Sequence, residues 1–258
     1  ATLNYGGEWY WGVDRLLYLV RRLDGQKLNR YKDPIPELAS MAEARKLKLP
    51  ATAPATAKAL PPLEFYYSFR SPYSYVALRS VFAIANAFGL KLDIKPVLPM
   101  VMRGMEVPRA KLLYIVKDAN REAQRRKVPF GKIADPVGEG AERCIAAFFY
   151  AKTQNRQFDF VLEAGKAIFA EGIDLATDEG MQVVAERAGL FWPELQEGMK
   201  DEQWRHEVKK HRDELSELGL WGVPVLKIGD QAFWGQDRDW LLAHTIEDLC
   251  QSGEGIMV

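Results

Sequence analysis

Residues 65–75 read FYYSFRSPYSY, an aromatic run followed by a turn that contains a proline. The apolar residues from Leu63 onward predict a buried strand. Pro72 fits the first turn of a helix, where its missing N–H is not needed. The turn Ser71-Pro72-Tyr73-Ser74 has the form of a C-P-Y-C dithiol site with oxygen in place of both sulfurs. Such a turn can stabilise a thiolate, but it cannot form a disulfide.

The segments around this turn predict an α/β fold. A strand (63–68), a helix (72–88) and a second strand (91–96) make a β-α-β unit, which implies a parallel pair. Residues 99–200 carry apolar residues at helical spacing. A helix (201–218), two strands (224–228 and 231–234) and a final helix (237–250) follow. The order β-α-β … α-β-β-α predicts a thioredoxin-like fold with an all-helical domain inserted after the second strand.

A short internal repeat links the two ends of the chain. Residues 6–19, GGEWYWGVDRLLYL, match residues 229–242, GDQAFWGQDRDWLL, at seven positions, six of them identical, including W-G-x-D-R. Each copy predicts a strand, a turn and an amphipathic helix whose aspartate caps the helix start. We therefore expect residues 1–24 to be the C-terminal remnant of a preceding thioredoxin-like domain. An N-terminal arm kept for packing and an accidental match are the alternatives.

The segment 25–62 predicts one short helix, beginning after Pro34-Ile35-Pro36, and a linker. Residues 50–62, PATAPATAKALPP, cannot form a core, and their prolines favour an extended, semi-rigid chain. The thioredoxin-like domain is then expected at 63–98 and 201–250, with the inserted helical domain at 99–200.

Composition argues against several classes of function. Lys+Arg and Asp+Glu number 35 each, which weakens the case for a nucleic-acid or membrane-surface binder. The two cysteines, Cys144 and Cys250, do not form a C-x-x-C pair and are expected to be reduced, buried thiols of a cytoplasmic protein. His206 and His211 fall in a charged helix and are expected to be solvated, and the three histidines lack metal-ligand spacing. No metal site is predicted.

Three loops of the predicted fold should meet at one edge of the sheet. The helix N-terminus beside Ser71 favours an anion such as a thiolate. Pro224, expected to be cis, would present the backbone edge of Val223 to an extended peptide. Gln236 and Asp237 lie at another helix start, where a charged group can be held. A cysteinyl tripeptide would fill all three positions, with its sulfur at Ser71.

These motifs resemble a known family. The SPYSY turn, the GVP before a strand and the FWGQDR turn are similar to those of kappa-class glutathione transferases and 2-hydroxychromene-2-carboxylate isomerases, in the DsbA-like branch of the thioredoxin superfamily. The likeness runs from about Leu63 to Leu249. It implies glutathione as cofactor, with Ser71 contacting the sulfur and Val223, beside Pro224, pairing with the cysteinyl backbone. Gln236 and Asp237 would bind the γ-glutamyl end.

The inserted domain carries a further family motif. Its K-x-x-Y-x-x-x-D pattern falls on Lys111, Tyr114 and Asp118, which implies that Lys111 and Tyr114 contact glutathione or substrate. The preceding loop, residues 103–108, lacks the asparagine that the family usually has there. The resemblance also implies a homodimer.

The sequence thus predicts a glutathione-dependent isomerase or transferase acting on an electrophilic aromatic or unsaturated small molecule. Ser71 would stabilise the glutathione thiolate. The alternative is a non-catalytic thioredoxin-like module that binds a peptide or protein partner. Disulfide oxidoreductase activity is poorly supported because the turn has no sulfur. A serine hydrolase is less supported still, since no base is predicted near Ser71.

Overall fold

The structure, a computed structural model, describes residues 2–28, 30 and 35–252. It divides into two units between Lys48 and Leu49. The first unit contains strands β1 (Thr2–Tyr5) and β2 (Glu8–Trp11) and helices α1 (Leu16–Gly25) and α2 (Pro36–Ala44). The remaining strands and helices belong to the second unit.

The first unit is built on a β-hairpin. β1 and β2 pair antiparallel across Gly6 and Gly7, both at positive φ. A 3₁₀ turn, Val13–Arg15, leads into α1. Arg22 of α1 donates to the Tyr5 carbonyl at 3.0 Å and so holds the helix on the hairpin. α2 confirms the short helix predicted after the prolines.

The sheet of the second unit has the order β4-β3-β5-β6. Its strands are β3 (Leu63–Tyr67), β4 (Leu92–Pro96), β5 (Val225–Ile228) and β6 (Gln231–Trp234). β4 is parallel to β3, whereas β5 runs antiparallel to both β3 and β6. With the helices around it, this sheet confirms the predicted thioredoxin-like fold.

Two helices of this frame are set by local sequence. α3 (Pro72–Phe88) starts after Ser71 and ends at Gly89, which has φ 68°. Glycine suits that left-handed position because it has no Cβ. α10 (Asp239–Ser252) starts two residues later than predicted, because a 3₁₀ turn (Gln236–Arg238) precedes it. α10 packs against α3.

The helical insertion lies between β4 and β5, as predicted. It comprises α4 (Arg109–Arg126), α5 (Glu139–Thr153), α6 (Gln157–Phe169), α7 (Asp178–Arg187) and α8 (Trp192–Gly198), and α9 (Trp204–Glu217) returns the chain to the sheet. Phe69 joins the two layers, since its ring lies 5.1 Å from that of Tyr67 and 6.0 Å from that of Phe160. Within the described part of the chain, no helix is long and apolar enough to cross a membrane.

The linker departs from the extended form that was predicted. Residues Ala55–Ala59 form a 3₁₀ turn packed against α10, with Ala57 buried. Thr56 donates to the Cys250 carbonyl at 3.0 Å. The small alanine side chains let the backbone lie close to the helix, and this packing outweighs the proline preference for an extended chain.

The predictions for the two cysteines are confirmed, whereas one of those for the histidines is not. Cys144 and Cys250 are free and buried, as expected, and burial raises the pKa of the Cys144 thiol. His206 is exposed, but the prediction of a solvated His211 was wrong. His211 is 7% exposed, and its Nδ1 lies 2.9 Å from the Pro96 carbonyl oxygen. Burial lowers the pKa of this ring, so it is a packed side chain of the α9–β4 contact.

Candidate active site

Ser71 lies between the sheet and the start of α3. As the N-cap residue, its Oγ accepts a hydrogen bond from the Ser74 backbone N–H at 3.1 Å. Its own hydroxyl hydrogen points to the Val223 carbonyl oxygen at 3.4 Å. That distance is long for an O–H···O hydrogen bond, so the interaction is weak and can be exchanged for a better acceptor. Ser71 is therefore a hydrogen-bond donor at the positive end of a helix.

The loop before β5 meets this serine. The Val223–Pro224 peptide is cis, as the sequence suggested. The Pro224 carbonyl in turn accepts a hydrogen bond from the Gly235 N–H at 2.9 Å. The three loops that the sequence placed at one edge are thus joined in a line: helix start, cis-proline loop and the turn before α10.

The third loop presents Gln236 and Asp237. Gln236 is 3% exposed, and its side-chain Nε2 has no hydrogen-bond partner among the described residues. The Asp237 carboxylate lies over Gly235, where a Cβ would come within 2.8 Å of Oδ1. Gly235 has φ 119° and is the cap residue of the 3₁₀ turn, and Asp237 lies in the first turn.

Arg126, at the end of α4, fixes this third loop. Its guanidinium donates to Asp239 Oδ2 at 2.5 Å and to the Gln236 carbonyl at 2.6 Å. The side chain is 12% exposed. The Gln236 carbonyl and the Asp237 N–H belong to one planar peptide and point in opposite directions. By holding the carbonyl, Arg126 sets the direction of the Asp237 N–H. No motif in the sequence pointed to this residue.

A tryptophan pair flanks Val223. The Trp221 and Trp234 rings are 4.8 Å apart and nearly perpendicular, and they are 44% and 40% exposed. Gly222 permits the contact, because a Cβ there would come within 2.7 Å of the Trp234 ring. Lys111 of α4 places its Nζ 4.8 Å from the centre of the Trp221 ring. This arrangement is an open aromatic surface with a cation beside it.

The K-x-x-Y-x-x-x-D motif lies on one face of α4. Lys111, Tyr114 and Asp118 are spaced three and four residues apart and so share that face. Asp118 is fully buried; its Oδ2 accepts from the hydroxyl of Tyr73, in the S-P-Y-S turn, at 2.8 Å. Its Oδ1 accepts from Arg121 at 3.2 Å. Both motifs were recognised in the sequence, but nothing there indicated that Tyr73 and Asp118 are bonded to each other.

A second polar cluster supports the sheet without belonging to the three loops. Lys95 donates to Glu64 and to Glu214, each at 2.8 Å, and the hydroxyl of Tyr66 bonds to the same two carboxylates. Burial opposes ionisation of both glutamates, but the bonds from Lys95 outweigh it, so the pKa of each is lowered. Burial and the two carboxylates raise the pKa of Tyr66 well above its usual value.

No cluster of three or more His, Cys, Asp or Glu residues able to hold a metal ion occurs in residues 2–28, 30 and 35–252.

The sheet, the cis-proline loop and the capped serine turn define a thioredoxin-like protein whose active turn carries oxygen instead of sulfur. Residues 62–247 match the family of DSBA-like thioredoxin domains, and the chain belongs to that family. A 2-hydroxychromene-2-carboxylate isomerase from Sphingobium xenophagum is 27% identical over 202 residues, 72% of this chain and 98% of the relative.

Solved structures agree on the fold. A 2-hydroxychromene-2-carboxylate isomerase structure matches with a TM-score of 0.63 and 22% identity, covering 76% of this chain and 99% of the other. The cytosolic disulfide reductase DsbM from Pseudomonas aeruginosa, solved with GSH, matches with a TM-score of 0.52 and 18% identity, covering 74% and 99%. The predicted resemblance to the DsbA-like branch and its isomerases is confirmed, as is membership of a family of enzymes.

Proposed function

We propose that this protein is a glutathione-dependent isomerase of a small aromatic or unsaturated electrophile. The observation that carries the proposal is the hydrogen-bond state of Ser71. One lone pair of Oγ is engaged by the Ser74 N–H, while the hydroxyl hydrogen rests on a weak 3.4 Å contact to Val223. The hydroxyl is therefore available as a donor, with the N-terminus of α3 behind it.

We place glutathione along the three joined loops, from Ser71 past Val223 to Gln236 and Asp237. The Val223 backbone offers an edge for the cysteinyl unit, as the loop before the cis-proline does for extended peptides. The buried, unpartnered Nε2 of Gln236 and the carboxylate of Asp237 suit the γ-glutamyl end, which carries both an anionic and a cationic group. The DsbM structure solved with GSH supports the idea that this fold can hold the tripeptide.

Bound glutathione supplies a nucleophilic thiolate, which can add reversibly to an electrophilic carbon. The work of the chain is to hold and tune that thiolate. The Ser71 hydroxyl and the dipole of α3 stabilise the negative sulfur. Arg126 keeps the turn at Gln236 and Asp237 in place. Ser71 has no role as a nucleophile here, since the partners of its hydroxyl are a backbone N–H and a backbone carbonyl.

We place the second substrate against the tryptophan pair. Trp221 and Trp234 offer an exposed aromatic surface next to Val223, and Lys111 stands over it with a positive charge. A planar, anionic aromatic compound complements both features. The name of the relatives supports this choice, because 2-hydroxychromene-2-carboxylate is an aromatic carboxylate.

The test is the isomerisation of 2-hydroxychromene-2-carboxylate, followed by absorbance with and without reduced glutathione. We expect turnover that requires glutathione and falls about 10–100-fold in Ser71→Ala, the effect of losing one hydrogen bond to a charged group. Ser216→Ala, on the exposed face of α9, is the matched control and should behave as the wild type. Turnover that is indifferent to glutathione, or equal in Ser71→Ala, would refute the mechanism.

A non-catalytic peptide-binding module is the competing function, since it would use the same cis-proline edge. It predicts that cysteine-free extended peptides bind and that glutathione does not change tryptophan fluorescence or melting temperature. Measuring both ligands on the same protein separates the two proposals.

A further inference from the structure

The first unit repeats the architecture of the end of the second unit. β1, β2 and the 3₁₀ turn Val13–Arg15 correspond to β5, β6 and the turn Gln236–Arg238 at a constant offset of 223 residues, with the same boundaries. α1 and α10 begin at the same offset. Gly12 and Gly235, which precede the turns, both have positive φ. The short sequence repeat is thus matched element by element in three dimensions.

In the second unit this β-β-α segment is covered by the rest of the domain. β3 pairs antiparallel with β5, and Phe65 stands opposite Leu226. α3 packs against α10. As a result Leu226, Leu242 and Ile246 are fully buried.

In the first unit the same positions are open. Leu3, the counterpart of Leu226, is 42% exposed. Leu19 and Leu23, the counterparts of Leu242 and Ile246, are partly exposed, and no residue of α1 is fully buried. Within the described residues β1 pairs with β2 alone. An open strand edge beside one exposed leucine and two partly exposed ones is a surface that proteins normally cover.

We propose that this surface docks the body of a second thioredoxin-like domain. By "body" we mean the β-α-β unit with its following helix that precedes a closing β-β-α segment. The proposal commits to this occupant because the second unit shows which elements cover the matching positions. A strand would pair antiparallel with β1, with an apolar residue opposite Leu3, and a helix would cover Leu19 and Leu23. The first unit is then the closing half of a thioredoxin-like domain.

The constant offset of 223 residues between the two segments allows a direct test of this docking. The full chain is extended by joining a second copy of residues 61–224 directly to Thr2, which places Thr2 where Val225 normally follows. Leu3→Cys, in the original and the extended chain, reports burial through its rate of maleimide labelling. The native Cys144 and Cys250 are buried and give a low background. Amide exchange of β1 provides a second measurement.

We expect labelling of the Leu3→Cys thiol to slow about tenfold or more in the extended chain, because it would then need local opening of the new domain. The β1 amides should become as protected as those of β5. A Phe65→Pro change in the added copy alone removes the pairing strand and should restore fast labelling.

The remaining outcomes count against the proposal. If the Leu3→Cys thiol is labelled equally fast in both chains, residues 2–25 do not close a domain. If the added body fails to fold, the proposal is also refuted. The same body folds when residues 225–252 follow it, so residues 2–25 would then be unable to replace that segment. Neither outcome depends on glutathione, so this test is independent of the proposed function.

Discussion

In the proposed complex with glutathione, the pKa of the bound thiol is the quantity that Ser71 should affect most directly. Ser71→Ala removes a donor to the bound thiolate and leaves the N-terminus of α3 in place. A hydrogen bond to a charged group contributes about 1.5–3 kcal/mol. Since one pKa unit corresponds to about 1.36 kcal/mol, the thiol pKa should rise by about 1–2 units in Ser71→Ala. The helix dipole, about 0.3–1 kcal/mol, should keep the value below that of free glutathione.

The assay is ultraviolet absorbance of the thiolate, titrated with pH for glutathione bound at saturating protein. Ser71→Thr retains a hydroxyl and should titrate near the wild type. Ser71→Ala also loses the cap to the Ser74 N–H, and we expect about 1 kcal/mol lower unfolding free energy. Urea unfolding therefore accompanies the titration. A variant that binds glutathione with an unchanged thiol pKa would show that Ser71 is only a helix cap.

Three further changes probe the surroundings of the site. Arg126→Gln should weaken the binding of glutathione about tenfold but leave the binding of the dipeptide Cys-Gly unaffected. Arg143→Gln, which breaks an ion pair between α5 and α7, should change the binding of neither ligand. Calorimetric titration with both ligands measures these affinities. Lys95→Met should lower the unfolding free energy by about 1–3 kcal/mol at pH 7. The lowered pKa values of its two glutamate partners stabilise the fold above about pH 4, so this loss should shrink towards pH 3, and a pH-independent loss would contradict the network. Gly165→Ala should lower the unfolding free energy by about 1–3 kcal/mol, because the new Cβ would come within 2.5 Å of the buried Tyr75 ring. Gly25→Ala, where the new Cβ would meet no atom within 4 Å, is the control, and urea unfolding measures both.

The fold was predictable because its signals are local. α3 was predicted closely, since Pro72 marks its start and Gly89 its end. The β-α-β rule predicted the parallel pairing of β3 with β4, which the structure confirms. The boundary of α10 was missed by two residues, because a 3₁₀ turn carries the same periodic residues as a first helical turn.

For the candidate site, the sequence predicted the residues that lie in recognisable motifs and missed the others. Ser71, Val223 and Asp237 stand on loops that the topology brings to one edge, and the structure places them there. Arg126 and the Tyr73–Asp118 bond depend on how α4 packs on the frame. That packing is decided by tertiary contacts between segments far apart in sequence, which periodicity does not encode. His211 shows the same limit, since the many charged residues of its helix gave no indication that one face of the helix is buried.

The two serines of the S-P-Y-S turn differ in their exposure and in their hydrogen bonds. Ser71 is partly exposed; its Oγ accepts a hydrogen bond from the Ser74 N–H and makes only a weak contact with the Val223 carbonyl. Ser74 is fully buried, and its Oγ has no hydrogen-bond partner among the described residues. A buried hydroxyl without a partner costs about 1–3 kcal/mol, so nothing in the packing favours serine over alanine there. In a dithiol turn the second position holds the sulfur that closes the disulfide, and an oxygen at that position cannot do so. In the proposed mechanism the chemistry of the turn therefore rests on Ser71, as a donor to the sulfur of bound glutathione.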